Sequence, residues 1–325
     1  MVNNWLITGG CGFIGTTLIA RILKENPGAG IRILDNLSVG SRNDLSTVTK
    51  FSEALPTDIK QPPKGVELLV GDIRDAFECK SAAAGVDVIV HLAANTGVGP
   101  SVENPVFDME CNVAGTLNVL EAAREKGIKQ FIFASSGAPV GEVEPPIHEE
   151  IAPHPVSPYG ASKLAGEGYC SAYFQTFGVR TVALRFGNVY GPGSKHKSSV
   201  VAKFIRQALE GETCEIYGDG KQTRDFIYID DLIEAVILAS AFEDGGEVFQ
   251  IATNRESTVN EVVEMVKQEL KSIGDIDMKL IYGEPRLGDV LRNYSDTSKA
   301  RNVLGWDPEH TLKDGIEKTV RYFLP

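Results

Sequence analysis

Nothing in the chain has the length and apolarity of a bilayer-spanning segment, which needs about 18 to 20 apolar residues. The apolar opening around Trp5 also lacks the basic stretch and cleavage site of a secretory leader. Cysteine is scarce: Cys11, Cys79, Cys111, Cys170 and Cys214 are odd in number, scattered and without a C-x-x-C pair. That pattern argues against a disulfide framework and suggests no metal site, so no metal is expected. Positive charge is in deficit, with 32 Lys and Arg against 44 Asp and Glu and a net charge of -12. Such a field repels nucleic acid and anionic membranes, and neither is expected as a partner. Any anionic ligand must instead meet a local cluster of arginines. These absences point to a cytoplasmic protein that handles small molecules.

What is present is ordinary for a globular protein. The 325 residues are 42% hydrophobic and 23% charged, enough for one large domain and a smaller one. Apolar runs at 5–7, 31–34, 66–70, 86–91 and 131–133 alternate with amphipathic stretches at 14–24 and 106–125. Strands alternating with helices make an α/β, doubly wound parallel sheet. Periodicity fades over 43–64, which reads as a surface excursion. After a strand at 179–184 the regularity breaks at Gly187, and the sheet resumes over 226–239 and 247–251. The expected division is therefore 1–186 plus 226–252 for one domain, interleaved with 187–225 plus 253–325 for a smaller α/β domain.

The run Thr8-Gly9-Gly10-Cys11-Gly12-Phe13-Ile14-Gly15 follows the first apolar strand and opens a helix. Glycines at 9, 12 and 15 permit a tight turn, close backbone approach to a pyrophosphate, and close packing of helix on strand. The helix N-terminus then offers N–H donors to phosphate. Asp35 ends the next strand, about 20 residues on, where a carboxylate accepts hydrogen bonds from the adenosine ribose and repels a 2′-phosphate. NAD is thus expected in preference to NADP, with Asn36 beside Asp35. Asp72 and Ile73 close the third strand, where Asp72 either contacts the adenine or serves the following turn as a cap.

Ser157-Pro158-Tyr159-Gly160-Ala161-Ser162-Lys163 begins a helix expected to run to Phe177. Tyr159 and Lys163, four apart, share one face. A tyrosine is a poor base near neutrality because its ordinary pKa is about 10, so nearby positive charge must lower it. Upstream, 131–136 carries an apolar strand to its C-terminal end at Ser136, the end at which ligands bind in open parallel sheets. Each signal alone has a bland reading, a solvated face or a strand-ending serine; their order along the chain is what carries weight.

That ordered set resembles the extended short-chain dehydrogenase/reductase family, and within it the NAD-dependent nucleotide-sugar 4-epimerases acting on UDP-galactose or UDP-N-acetylglucosamine. The resemblance rests on Gly9 to Gly15, His91-Leu92-Ala93-Ala94, Tyr159-x-x-x-Lys163, Leu184-Arg185-Phe186-Gly187-Asn188, Arg224-Asp225-Phe226-Ile227 and Arg286-Leu287-Gly288-Asp289-Val290. It implies a Rossmann domain, with Tyr159 taking the hydroxyl proton as hydride leaves C4, Lys163 on the nicotinamide ribose and Ser136 on the reacting oxygen. It also implies that Ala93 and Ala94 border the cofactor and that Asn112 fixes the local backbone. For the nucleotide sugar it implies Arg224 and Arg286 at the pyrophosphate, Asn188 beside them, Asp289 on the ribose or on Arg286, and Asn293 against the C2 substituent.

One departure stands out, because Ser136-Gly137-Ala138-Pro139-Val140-Gly141 lacks the aromatic residue common in relatives and gains a proline, which restricts the loop. The 4,6-dehydratases of the family place an Asp-Glu pair where this chain has Gly137 and Ala138, and the uronate decarboxylases a glutamate in the same turn. Both reactions are therefore less expected than epimerisation. A 4-keto-sugar reductase and a dinucleotide-binding protein without chemistry are the remaining alternatives. The helices at 106–125 and 159–177 resemble those through which the family pairs, so a homodimer is expected.

Overall fold

The computed structural model describes residues 2–59, 61–195, 199–285 and 291–324. They fall into two units, one of 1–142, 149–185 and 233–249, the other of 143–148, 186–232 and 250–325.

The first unit begins with β1 (Asn4–Thr8), α1 (Phe13–Glu25), β2 (Gly30–Asp35), α2 (Arg42–Ser46), β3 (Ser52–Glu53), β4 (Val66–Val70), α3 (Ala76–Ala82) and β5 (Val88–His91). It continues through α4 (Val98–Glu103), α5 (Pro105–Met109), α6 (Gly115–Lys126), β6 (Gln130–Ser136), α7 (Pro158–Phe177) and β7 (Arg180–Phe186). An eight-stranded sheet runs β12-β7-β6-β5-β1-β2-β4-β3, where β12 is Glu247–Ile251. The pairs β1–β2, β1–β5, β2–β4 and β5–β6 are parallel. The chain order reverses at β1, flanked by β2 and β5, which places a ligand crevice at the carboxyl ends of those strands. Leu6, Leu34, Ile89 and Phe131 are fully buried in the core against it, as expected for strands covered on both faces.

Two stretches differ from the sequence reading. The 43–64 excursion contains ordered pieces: Ser41 and Asp44 form a reciprocal capping box on α2, and β3 pairs with β4 at the sheet edge. The single helix expected over 106–125 is interrupted. Asn104 caps α5, with Pro105 in the first turn, and a π-turn at Glu110–Ala114 separates α5 from α6. Inserting the wider turn changes the helical phase, and Cys111 and Asn112 are buried there.

The second unit carries β8 (Asn188–Tyr190), α8 (Val200–Leu209), β9 (Thr213–Tyr217), β10 (Thr223–Arg224), β11 (Phe226–Tyr228), β13 (Ser257–Thr258), α10 (Val259–Gly274), β14 (Lys279–Gly283) and α11 (Leu312–Phe323); α9 (Ile229–Ser240) runs from this unit into the first. Its strands form three pairs, β8 with β11, β9 with β14 and β10 with β13. α10 packs on α8 and α11.

Candidate active site

The loop after β1 is shaped by backbone contacts. Gly9 has φ +70°, and a Cβ on it would meet Ala93 N at 2.8 Å, in the loop after β5. Gly15 packs so closely that its Cβ would lie 2.5 Å from Gly10 Cα. Gly12 is different: the nearest protein atom to its Cβ would be Gly9 O at 3.3 Å. The protein therefore tolerates little at 9 and 15, while at 12 an added Cβ would meet one close contact, the Gly9 carbonyl, which must give by a few tenths of an ångström. Gly12 caps α1 without a side-chain hydrogen bond, and the first turn, with Phe13 and Ile14, contains no acid. The amides there and the positive end of the helix dipole suit an anion such as a pyrophosphate.

Asp35 is buried beside this loop, accepting from Cys11 N at 2.9 Å and Leu37 N at 2.8 Å. Burial pushes its carboxyl above the ordinary range, and the two backbone donors oppose that. Leu37 takes a left-handed φ of +59°, and a Cβ on Gly40 would lie 2.2 Å from Cys11 O. Neither feature is announced in the sequence. Asn36 and Arg74 both hold Asp72, at 3.1 Å for Asn36 Nδ2 and 2.8 Å for Arg74 Nη2. The bidentate Arg74 contact holds the Asp72 carboxyl down at about 2. The N-cap of α3 is Asp75, three residues on; Ile73 is buried next to Asp72 and touches the position of Gly115.

A buried histidine joins β1 to the helix behind it. Thr116 donates to Asn112 O at 2.7 Å, so His91 Nε2–H donates to Thr116 at 3.0 Å and His91 Nδ1 accepts from Thr8 at 2.7 Å. Burial, with the Lys163 charge adding to it, holds this imidazole down at about 3. Thr8 also accepts from Ala93 N at 3.1 Å, which fixes the turn carrying Ala93 and Ala94. Asn112 grips the next residue at both ends of its peptide unit, accepting from Asn95 N at 2.8 Å and donating to Asn95 O at 2.9 Å.

Ser136, Tyr159 and Lys163 come together in the same unit. α7 starts at a Ser157 cap, and Gly160 allows it to lie against the turn after β6, since a Cβ there would sit 2.6 Å from Ala138 O. That turn is a 3₁₀ segment, Ala138–Val140, with Pro139 and Val140 buried, so the proline departure produces a tight, packed loop. Ser136 stands beside the Tyr159 hydroxyl and favours its ionised form. Lys163 is buried, donates to Ala134 O at 2.8 Å and lies 4.9 Å from the Phe133 ring centre and 5.9 Å from that of Tyr159. Burial pushes Tyr159 up to about 12 against the opposing influence of Ser136, and brings Lys163 down to about 8. Desolvation of the phenolate and the influence of Ser136 thus act on Tyr159 in opposite directions.

In the second unit, Asn188 is exposed at the start of β8, where its backbone N–H donates to Asp225 O at 2.8 Å. Arg224, on β10, donates to Thr223 O. The backbone of Asn293 lies beside Thr223, its N–H 3.4 Å from Thr223 Oγ1, so Arg224 and Asn293 are neighbours. Asp225 is buried, accepting from Thr253 N at 2.7 Å and Ser295 N at 3.2 Å. Arg286 and Asp289 lie outside the described residues. A cavity of about 730 Å³ in this unit is bordered by Asn254, Glu261, Arg301 and His310, and contains none of the candidate residues.

The sequence of 5–252 matches the model of the NAD dependent epimerase/dehydratase family. Over 323 residues the chain is 35% identical to UDP-glucose 4-epimerase of Mycolicibacterium smegmatis, covering 98% of this chain and 97% of that protein. The solved UDP-N-acetylglucosamine 4-epimerase of Methanobrevibacter ruminantium M1, in complex with UDP-N-acetylmuramic acid, superposes with a TM-score of 0.87 at 30% identity, covering 99% of both chains. Thermus thermophilus UDP-glucose 4-epimerase in complex with NAD gives 0.85 at 34% identity, covering 98% of both. With the glycine loop, the buried Asp35 and Ser136, Tyr159 and Lys163 in one unit, the chain belongs to the NAD-dependent epimerase/dehydratase family and is an NAD-dependent enzyme.

Proposed function

We propose that this protein epimerises a UDP-hexose or UDP-N-acetylhexosamine at C4 through a transient 4-keto sugar. The observation that carries this reading is the convergence of Ser136, Tyr159 and the buried Lys163, whose Nζ lies 5.9 Å from the Tyr159 ring centre, in one unit. When bound, NAD supplies the acceptor for the C4 hydride and the source of its return, and its oxidised ring adds positive charge to the site. Tyr159 takes the C4 hydroxyl proton as the C–O bond becomes a carbonyl, and gives a proton back when hydride returns to the opposite face. Ser136 donates to the reacting oxygen, and Lys163 holds the nicotinamide ribose. Gly137 and Ala138 carry no titratable group, so the turn after Ser136 provides no acid and base for removing a C5 proton and expelling a hydroxyl. This separates epimerisation from 4,6-dehydration.

In this reading the first unit holds NAD through Gly9, Gly12, Phe13, Ile14, Gly15, Asp35, Asn36, Asp72, Ile73, Ala93 and Ala94. The second holds the nucleotide sugar through Asn188, Arg224, Arg286, Asp289 and Asn293. A protein homodimer fits the exposed Val98, Val102, Val106, Met109 and Tyr169 on α4, α5 and α7. A cytoplasmic location fits the five unpaired, buried thiols. Among the described residues no helix is long and apolar enough to cross a membrane.

The test is product analysis by NMR and mass spectrometry after incubation with a panel of nucleotide sugars. C4-inverted product without added cofactor turnover is the expected outcome. A 4-keto-6-deoxy product, loss of carbon dioxide, or dependence on added NADPH would replace the reading.

A further inference from the structure

An ammonium buried as deeply as Lys163 needs a counter-charge, because desolvation strongly disfavours the charged form. The titratable and charged groups facing it come from its own helix, from β5 and from α5. On α7, Glu167 is committed: Arg185 clamps it at 2.8 and 2.7 Å and Ser135 donates to it at 2.6 Å. Tyr159 and Cys170, also on α7, are pushed up by burial and are neutral. On β5, His91 is held neutral. The remaining group is Asp108 on α5, a short helix packed against α7.

Asp108 is 1% exposed, although its sequence neighbours Phe107 and Met109 face solvent. Its Oδ1 accepts from Asn112 Nδ2 at 2.9 Å and lies 3.4 Å from Asn95 Nδ2. The same Asn112 amide nitrogen lies 3.2 Å from Ser162 Oγ, immediately before Lys163 in the chain. The other oxygen, Oδ2, is buried without a hydrogen-bond partner among the described residues. A buried carboxylate that leaves one oxygen unsatisfied is costly unless a positive charge compensates it. Glu167, paired with Arg185, also favours the charged lysine, but less than Asp108 does.

We propose that Asp108 is a positioning residue of the active site, whose carboxylate keeps Lys163 an ammonium while the Asn112–Ser162 contact holds it toward the catalytic helix. This rests on the reading of Tyr159 and Lys163 as the working pair. The Asp108 charge raises the affinity of Lys163 for its proton. It also raises that of Tyr159, so it protects the charge on the lysine at a cost to the phenolate.

The test is NMR of the purified enzyme with its cofactor, labelled with ¹³C at the lysine ε carbons, the Lys163 signal being identified by its loss in Lys163→Met. Asp108→Asn keeps the shape and an oxygen acceptor for Asn112 but removes the charge. It is expected to lower the Lys163 midpoint by about one pH unit or more relative to the parent, whereas Asp108→Glu keeps it within a few tenths. Identical midpoints in parent and Asp108→Asn would overturn the proposal, as would an equal fall in Asp108→Glu, which would mean that packing rather than charge matters. If Asp108→Asn is not recovered folded, Asp108→Ser makes the same comparison. No sugar is present in this measurement, so an enzyme that titrates as stated yet converts none of the nucleotide sugars retires the epimerase reading and leaves this one standing.

Discussion

The glycine loop after β1 and the edge strand bearing Arg224 meet different kinds of demand. The loop is fixed mainly by backbone: Gly9 against Ala93, Gly15 against Gly10, and the Cys11 amide on Asp35 only 24 residues on. What it can offer an anion is the N–H groups at the start of α1. The edge strand relies on side chains brought from far apart, with Thr223 and Asn293 separated by 70 residues. A backbone cradle can be encoded by a few glycines at close spacing, but a set of side-chain donors exists only once distant segments have paired. In the proposed reading, the first region serves a cofactor shared by many enzymes and the second decides which sugar is accepted.

The largest expected effect is on chemistry in the first unit. Tyr159→Phe should leave folding and NAD binding intact and lower turnover by at least about 100-fold, because an acid–base group is lost with almost no change in volume. Near-parental turnover removes Tyr159 from the mechanism. Within the loop, Gly15→Ala drives a methyl into backbone and should destabilise the protein by about 1–3 kcal/mol. Gly12→Ala meets only the Gly9 carbonyl, at 3.3 Å, so it should destabilise the protein less than Gly15→Ala does, while NAD affinity falls roughly 10-fold or more. Denaturant unfolding and NAD titration on the two variants check this; equal loss of stability would show that both glycines serve packing alone.

Asp35→Ala should weaken NAD and relax discrimination against NADP by about 10-fold, since both a ribose acceptor and a charge that repels the 2′-phosphate disappear. A preference equal to the parent's removes Asp35 from cofactor choice. The smallest effect expected lies in the second unit. Asn293→Tyr should lower kcat/KM for UDP-N-acetylglucosamine several-fold relative to UDP-glucose, because a bulky ring rejects an acetyl group and spares a hydroxyl. An unchanged ratio shows that Asn293 does not face the C2 substituent.

The parallel sheet was legible because apolar runs separated by amphipathic stretches point to that architecture, whereas its switch point at β1 is seen only in the strand order. The three catalytic candidates were legible for a related reason, being tied to one strand end and one helix turn. The π-turn at Glu110–Ala114 was not, since no proline or glycine breaks the helical pattern at its centre; it is defined by where Asn112 finds Asn95. Asp108 could have been noticed as an acid four residues before Asn112 on one helical face, but its burial depends on α5 packing against α7. The capping box at Ser41 and Asp44 was visible as a serine three residues before an acid, although the polar composition around it masked the helix.

The central claim is that hydride leaves C4 and returns to C4 within one turnover. UDP-glucose carrying deuterium at C4, converted in ordinary water, tests it directly by NMR and mass spectrometry of the product. The account predicts a C4-inverted sugar that retains the deuterium at C4. Deuterium lost to solvent, or found at C6 of a 4-keto-6-deoxy sugar, would contradict it.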